Sequence, residues 1–427
     1  MATPTDAYAK SSATQIRDER GRDEEPDRLT PKIEIDDTVL KGIIRGLYYP
    51  ESPYEFSVLP VDVLGQVYEQ FLGRVIQLED GHTATVEEKP EVRKAGGVYY
   101  TPTYIVDYIV EKTVGKLLEG KRPGPRGGAS RIKIVDPACG SGSFLIGAYR
   151  YLLDWHRDRY VEDGPEKWKD RLYEGPGGQH HLTIDEKRRI LLNNIYGVDI
   201  DPQAVEVTKL SLLLKVLEGE SEASLATQLR MFQERALPDL DDNIKCGNSL
   251  IGPDFYDERD LALFSDDDYY RINVFNWKGE DGFPDIFDGE NPGFDAVIGN
   301  PPYVLLQDEF RDDDQLSYFR SKFSVASYKI DTYHLFIEQS LRLARTSGRC
   351  AMITPANFLT NNYLSPLRRL LLEHSSIDHI TVIDGGVFRD ISVDNAIFVV
   401  EADPHTDAFQ LVHALSDGAH LRVTATN

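Results

Sequence analysis

Cysteine, net positive charge and long apolar runs are all scarce in this 427-residue chain. Its three cysteines, Cys139, Cys246 and Cys350, lie far apart and outside any CxxC pattern. That spacing excludes a disulfide framework and a cysteine metal site. The longest apolar runs are strand-length, such as Ala396 to Val400. No run of roughly 18 to 20 apolar residues offers a membrane span. The first residues are polar and lack the apolar stretch of a secretory signal, so the expected location is the cytoplasm. Histidines are few and look incidental: His180-His181 sits in a Gly-rich stretch and His334 in a helical one. No metal site is expected.

Basic residues are outnumbered, 47 against 71 acidic ones, for a net charge of −24. This argues against a whole surface shaped for nucleic acid, because phosphate contacts need Lys and Arg. The acid is spread along the chain, for example in Asp266-Asp267-Asp268 and Asp312-Asp313-Asp314. It fits solubility or a salty cytoplasm. The basic segments Lys121 to Lys133, Lys187-Arg188-Arg189 and Arg368-Arg369 read as solvated faces.

Residues 1–30 carry almost no large apolar side chains and read as a disordered or linker segment. Residues 31–95 read as a helical N-terminal region. Val61, Leu64, Val67, Tyr68, Phe71, Leu72 and Val75 recur at three- and four-residue steps, and the polar residues 79–95 follow as a loop. Thr101 is placed to cap a helix with Pro102 at its first position. Strand and helix then alternate through strands at 131–136, 195–199, 243–246, 294–298, 349–353, 379–383 and 396–401. Such alternation predicts an α/β protein with a parallel sheet covered by helices on both faces. The close pair 379–383 and 396–401 suits an antiparallel edge. Two irregular stretches, 157–182 and 252–293, are expected on the surface. Residues 402–427 hold little that would form another domain.

Chemistry gathers at four strand ends. The first carries Asp136-Pro137-Ala138-Cys139-Gly140-Ser141-Gly142-Ser143-Phe144, a glycine-rich turn that opens a helix. Such a turn lets a nucleotide-like ligand approach the backbone closely. It lacks both the Gly-Lys-Ser/Thr ending of a phosphate loop and the full GxGxxG pattern. The second end carries Asp199-Ile200-Asp201-Pro202, where Asp201 suits a helix cap and Asp199 suits a ribose. The usual spacing between glycines and acid is roughly 20 residues. Here it is far longer, so the first helix must be extended or carry an insertion. The third end is Gly247-Asn248-Ser249, and the fourth is Asn300-Pro301-Pro302-Tyr303. The last of these combines an amide oxygen, a carbonyl with no neighbouring N–H and an aromatic face, which suits a planar amino group. Read alone, it is also a common way to end a strand. In a doubly wound sheet all four ends open on one crevice.

In this order the motifs resemble the S-adenosylmethionine-dependent DNA N6-adenine methyltransferases, in particular the large methylases of single-chain restriction-modification enzymes and related phage-defence systems. Gly97 to Pro102 is similar to that family's N-terminal cofactor motif, Asp136 to Phe144 to its main cofactor loop, and Asn300 to Tyr303 to its catalytic motif. Gly348 to Leu359 and Val387-Phe388 are similar to its later strands and target-base pocket. The resemblance covers residues from about 55 to about 405. It implies a class I methyltransferase fold: a Rossmann-like sheet, mostly parallel with an antiparallel edge strand, over residues 96–405. It also implies that Tyr100, Thr101 and Pro102 line the methionine end of the cofactor. Asp136, Ala138 and Gly140 would cradle the methionine moiety, with Cys139 and Gly142 in the same loop. Asp199, with Ile200 beside it, would hold the ribose, and Asn248, followed by Ser249, the adenine.

The implied reaction has Asn300 and the Pro301 carbonyl accept the two N6–H groups of a flipped adenine, with Pro302 completing the turn. Tyr303 would stack on the base and Phe388 close its other face. The implied partners are double-stranded DNA and a target-recognition domain or partner subunits, with 406–427 as the start of that region. Many relatives carry Asp where this chain has Asn248. No Asp…Glu-x-Lys nuclease pattern precedes residue 96. One alternative with the same tetrapeptide is a protein glutamine N-methyltransferase; others are an amino-methyltransferase of cytosine, whose motif often begins with Ser, and a cofactor-binding DNA sensor without activity, against which the complete tetrapeptide argues.

Overall fold

The computed structural model describes residues 37–46, 65, 74–79, 83–88, 101–175, 177–220, 237–257, 266–307, 310–327, 329–384, 387, 394–403, 410–416 and 421–426. The chain divides into two units, residues 1–60 and 61–427. Helix α1, Asp37–Gly46, belongs to the first. The second opens on strands β1, Arg74–Glu79, and β2, Thr83–Glu88, paired antiparallel. This corrects the expectation of helix to residue 78 and loop beyond. Val75, Ile76, Thr83, Thr85 and Val86 are β-branched, and Asp80-Gly81 between the strands is a pair that favours tight hairpins.

Helix α2, Thr103–Val110, follows and runs on through a π turn, Glu111–Gly115, to Leu118. Thr101 does not cap it; Pro102 holds that position with no side-chain bond. Next come β3, Ile134–Asp136, and the long α3, Ser143–Asp163. A hairpin of β4, Leu172–Glu174, and β5, His180–Leu182, leads to α4, Ile184–Asn194. These elements fill the long gap between the glycines and Asp199. Strand β6, Ile195–Asp199, helix α5, Pro202–Leu217, and strand β7, Ile244–Cys246, follow. After short helices α6, Asp266–Ile272, and α7, Pro284–Phe287, comes β8, Phe294–Gly299. Helices α8, Asp313–Lys322, and α9, Thr332–Leu343, precede β9, Ala344–Pro355. Helix α10, Ser365–His374, leads to β10, Ser376–Asp384, and β11, Asn395–Glu401. Strands β12, Gln410–Ser416, and β13, Leu421–Thr426, end the described chain.

Nine strands form one sheet in the order β13-β12-β10-β11-β9-β8-β3-β6-β7. Strands β3, β6, β7, β8 and β9 are mutually parallel. The antiparallel pairing expected at one edge is that of β10 with β11, which also runs antiparallel to β9. Strands β12 and β13 extend that edge, and β13 is the outermost and antiparallel. From β3 the chain moves one way to β6 and β7, then returns to the other side of β3 for β8. The switch point therefore lies at the carboxyl ends of β3 and β8, where ligands bind in open α/β sheets.

Both faces of the sheet are buried, as parallel strands require. Ile134, Ala296, Ile298 and Ile353 face one cluster with α2, α3 and α4. Val135, Val297, Cys350 and Met352 face the other with α9 and α10. Each such Val or Ile contributes roughly 1.5–3 kcal/mol by its burial. The second cluster also takes in Phe255, Phe275, Trp277 and Phe283. Among the described residues of 252–293 these aromatics thus anchor the segment to the core by interlocking edge to face, while its polar residues stay at the surface. Similarly, residues 157–163 continue α3, and Tyr160 is buried.

Charge is a poor guide to exposure at the start of α4. Lys187 is 8% exposed, and its ammonium donates to Val216 O, Glu218 O and the Glu220 carboxylate. Beside it, the buried Glu186 binds Arg171, Arg189 and the Tyr160 hydroxyl. The acidic run 312–314 is a helix start: the Asp312 carboxylate accepts the Gln315 N–H at 3.0 Å, and Asp313 and Asp314 sit in the first turn of α8. Anionic side chains there oppose the positive end of the helix dipole.

Candidate functional site

The β3–α3 turn is shaped by two left-handed glycines, Gly140 at φ 54° and Gly142 at φ 86°. A Cβ on Gly142 would also meet Thr208 at 2.9 Å. The turn is braced from β6, from α5 and from the loop after β7. The Cys139 N–H donates to Val198 O at 3.0 Å, and the Gly140 N–H to Asp199 Oδ2 at 2.7 Å. The Thr208 hydroxyl donates to Gly140 O at 2.8 Å, and the Ser249 hydroxyl to Pro137 O at 2.5 Å. Ser249 is thereby a brace for the loop. Asp199 also accepts the Asp201 N–H at 2.9 Å, while Asp201 caps α5. Asn248 folds its Oδ1 onto the Leu250 N–H at 3.0 Å.

A single cavity of about 290 Å³ joins these ends. Thr101, Asp136, Ala138, Cys139, Gly140, Asp199, Ile200, Asn248, Ser249, Asn300 and Pro302 all line it. Pro102, Gly142, Pro301 and Tyr303 do not line it. Tyr100 and Phe388 lie outside the described residues. Val304, Leu306, Gln315, Phe319, Thr332 and Phe336 complete the wall and were not foreseen. In sequence, Phe319 and Phe336 follow helical spacing like any core residue, and nothing marks Gln315.

Burial raises the Asp136 carboxyl to about 8, and the nearby Asp199 charge adds to it. Burial lifts Asp199 to about 6, against its bonds to the Asp201 and Gly140 N–H groups. Two acids at neighbouring strand ends therefore differ in protonation at neutral pH. A Cβ on Gly299 would meet Asp136 Oδ1 at 2.6 Å, so β8 passes close to the buried acid only because that residue is glycine.

Asn300 is held at both ends of its amide. Its Nδ2 donates to Thr101 Oγ1 at 3.2 Å, and its Oδ1 accepts the Tyr303 hydroxyl at 2.6 Å. That hydroxyl also lies 2.9 Å from Ile353 O. The Tyr303 ring meets Tyr333 edge-on at 5.9 Å and packs against both core clusters. Downstream, Thr332 pins the turn: its hydroxyl donates to Pro302 O at 2.5 Å and accepts the Val304 N–H at 3.0 Å. Asp331 caps α9 in a capping box with His334, and burial raises its carboxyl to about 7.

Two family models match the chain side by side: N-6 DNA Methylase over residues 60–241 and Eco57I restriction-modification methylase over 193–388. The type II restriction enzyme and methyltransferase RM.Eco57I of Escherichia coli is 32% identical over 340 residues, 79% of this chain and 31% of that protein. The adenine-specific methyltransferase PglX of Streptomyces coelicolor is 28% identical over 223 residues, 51% and 15% of the two chains. The adenine-specific methyltransferase BrxX of Escherichia coli O9:H4 is 22% identical over 449 residues, 86% and 34%. The chain spans about a third or less of the length of these relatives. Residues 60–388 thus match models of N-6 DNA methylases and Eco57I restriction-modification methylases, on an open α/β sheet with its cavity at the switch point.

Proposed function

We propose that this chain transfers a methyl group from S-adenosylmethionine to N6 of an adenine swung out of duplex DNA. The observation that carries this reading is the Asn300 amide, oriented at both ends and facing the same cavity as the glycine turn. The cavity suits the cofactor. A Cβ on Gly140 would meet nothing within 4 Å, so the turn is open where a ligand lies against it. Asp136 offers a buried carboxyl toward the cationic methionine end. Ile200, 48% exposed at the cavity wall, offers an apolar face to a purine. Asp199 and Asn248 would hold the ribose and the adenine edge.

When bound, the cofactor supplies an electrophilic methyl. The residues of the chain prepare the nucleophile. The N6 lone pair of adenine is delocalised into its ring and attacks poorly. The Asn300 Oδ1 and Pro301 carbonyl each accept one N6–H, which draws the lone pair onto nitrogen. An amide oxygen has capacity for two hydrogen bonds, so accepting from Tyr303 does not exhaust it. Preorganised groups of this kind are worth roughly 10²–10³ in rate each. The partly exposed Tyr303 ring gives the base a flank to lie on, and such stacking contributes about 1–3 kcal/mol. The relatives described above are named as adenine-specific or restriction-modification methyltransferases, which favours this reading over the glutamine and sensor ones. With a net charge of −24, DNA affinity in this reading comes largely from a further domain or partner subunit.

The test is Asn300→Ala. It is expected to abolish transfer of tritiated methyl to DNA while calorimetry shows unchanged cofactor affinity. Wild-type transfer by that variant would refute the reading.

A further inference from the structure

Among the described residues, two side chains at the carboxyl edge of the sheet are buried without a hydrogen-bond partner. Asn395, 1% exposed, has neither its oxygen nor its nitrogen satisfied. Thr354, fully buried, has an unpaired hydroxyl. Asn395 opens β11, where it pairs with Pro355 on β9 and Ile383 on β10. Directly paired residues share a face, and side chains alternate along a strand. Ile353, Ile383 and Ile397 belong to the cluster on the α2 side, so the Asn395 amide lies on that side. Thr354 alternates to the opposite face with Met352.

The α2 side is also the side of the catalytic amide. Thr101, which holds Asn300, immediately precedes the start of α2. The Tyr303 ring packs on the same cluster, and its hydroxyl meets the carbonyl of Ile353. Val387 joins that cluster too. A wholly unpaired buried amide is costly, and an apolar residue of similar size would remove the cost. The folded chain alone gives no reason for asparagine at this position; a polar ligand edge does.

We infer that Asn395 is a specificity-determining residue whose Nδ2–H donates to a ring nitrogen of the extruded adenine. This rests on the adenine reading above. The N6 group is flanked by N1 and N7, both acceptors. With the N6 hydrogens directed at Asn300 and Pro301, a donor beside them matches adenine and rejects bases that carry N–H there.

The test uses the full-length protein and a duplex bearing the site that methylation-sensitive sequencing identifies. The target position carries adenine, 1-deazaadenine or 7-deazaadenine. Asn395→Leu is expected to raise the melting temperature, leave cofactor affinity unchanged and slow single-turnover transfer to adenine about tenfold, one hydrogen bond's worth. On one deaza substrate the wild type is expected to fall to the rate of the variant, with no further loss in the variant. Thr354→Val is expected to transfer at the wild-type rate. Unchanged transfer by Asn395→Leu, or equal further losses on both deaza substrates, would overturn the inference. A wild type that methylates no adenine would instead overturn the reading beneath it.

Discussion

Cofactor binding should release a proton, and Asp136 should be its source. The carboxyl is 1% exposed, and its titration is pushed up to about 8. At pH 7 roughly one molecule in ten then carries it ionised, since a unit of pKa is a factor of ten, about 1.4 kcal/mol. The cationic methionine end of the cofactor favours the ionised form, so binding pulls the proton off. Affinity should therefore rise about 16-fold in all from pH 6.5 to 8, following the ionised fraction, and then flatten. Asp199, near 6, is largely ionised over this range and contributes less. Calorimetry at pH 7 in phosphate and in Tris would separate the proton from the binding heat, because these buffers differ in ionisation enthalpy. The expected release is close to one proton. Asp136→Asn should abolish the release and bind more weakly. 5′-Methylthioadenosine, which lacks the amino-acid end, should release none. A pH-independent affinity with equal heats in both buffers would refute the assignment of Asp136 to the methionine end.

The same acid governs the stability of the ligand-free protein. Its folded value exceeds that of an unfolded aspartate, so its contribution is full below about pH 4 and is lost as pH rises through 8. Asp136→Asn should accordingly raise the ligand-free melting temperature at pH 8 and not at pH 4, as read by scanning calorimetry. Asp199→Ala removes the acceptor of the Gly140 and Asp201 N–H groups and should weaken cofactor binding roughly 10- to 100-fold; unchanged affinity would sink the ribose role. Tyr303→Phe keeps the ring and loses the hydroxyl that holds Asn300. It should lower kcat roughly 3- to 12-fold with an unchanged KM for DNA, by steady-state kinetics.

How much of this was legible in sequence depended on how local the cause is. Strand β6 falls at Ile195–Asp199 as expected, because apolar residues end there at a capping Asp201-Pro202. The cofactor turn was equally local, since Gly140 and Gly142 supply its left-handed φ angles by themselves. Helix α4 was missed for the opposite reason. Glu186 and Lys187 look like a solvated charged face, yet their partners Arg171 and Glu220 lie 15 and 33 residues away. A charge is buried only when a partner reaches it, and linear order does not show the partner.

The turn Asn300-Pro301-Pro302-Tyr303 shows the same limit at its sharpest. Sequence names Asn300 but leaves its amide free to turn either way, presenting an oxygen or an NH₂ to the substrate. Only an oxygen accepts N6–H. The choice is made by Thr101, 199 residues earlier, which takes the nitrogen, and by Tyr303, three residues later, which takes the oxygen. Thr101 was expected to cap a helix, but Pro102 holds that position and the Thr101 hydroxyl meets Asn300 instead. What binds the motifs of this fold into one site is therefore carried by side chains that orient one another across the sheet. Thr101→Val tests this directly: it should lower transfer while leaving the fold intact, because it releases only the amide's nitrogen end. If transfer by Thr101→Val matches the wild type, the orientation of Asn300 is set by Tyr303 alone.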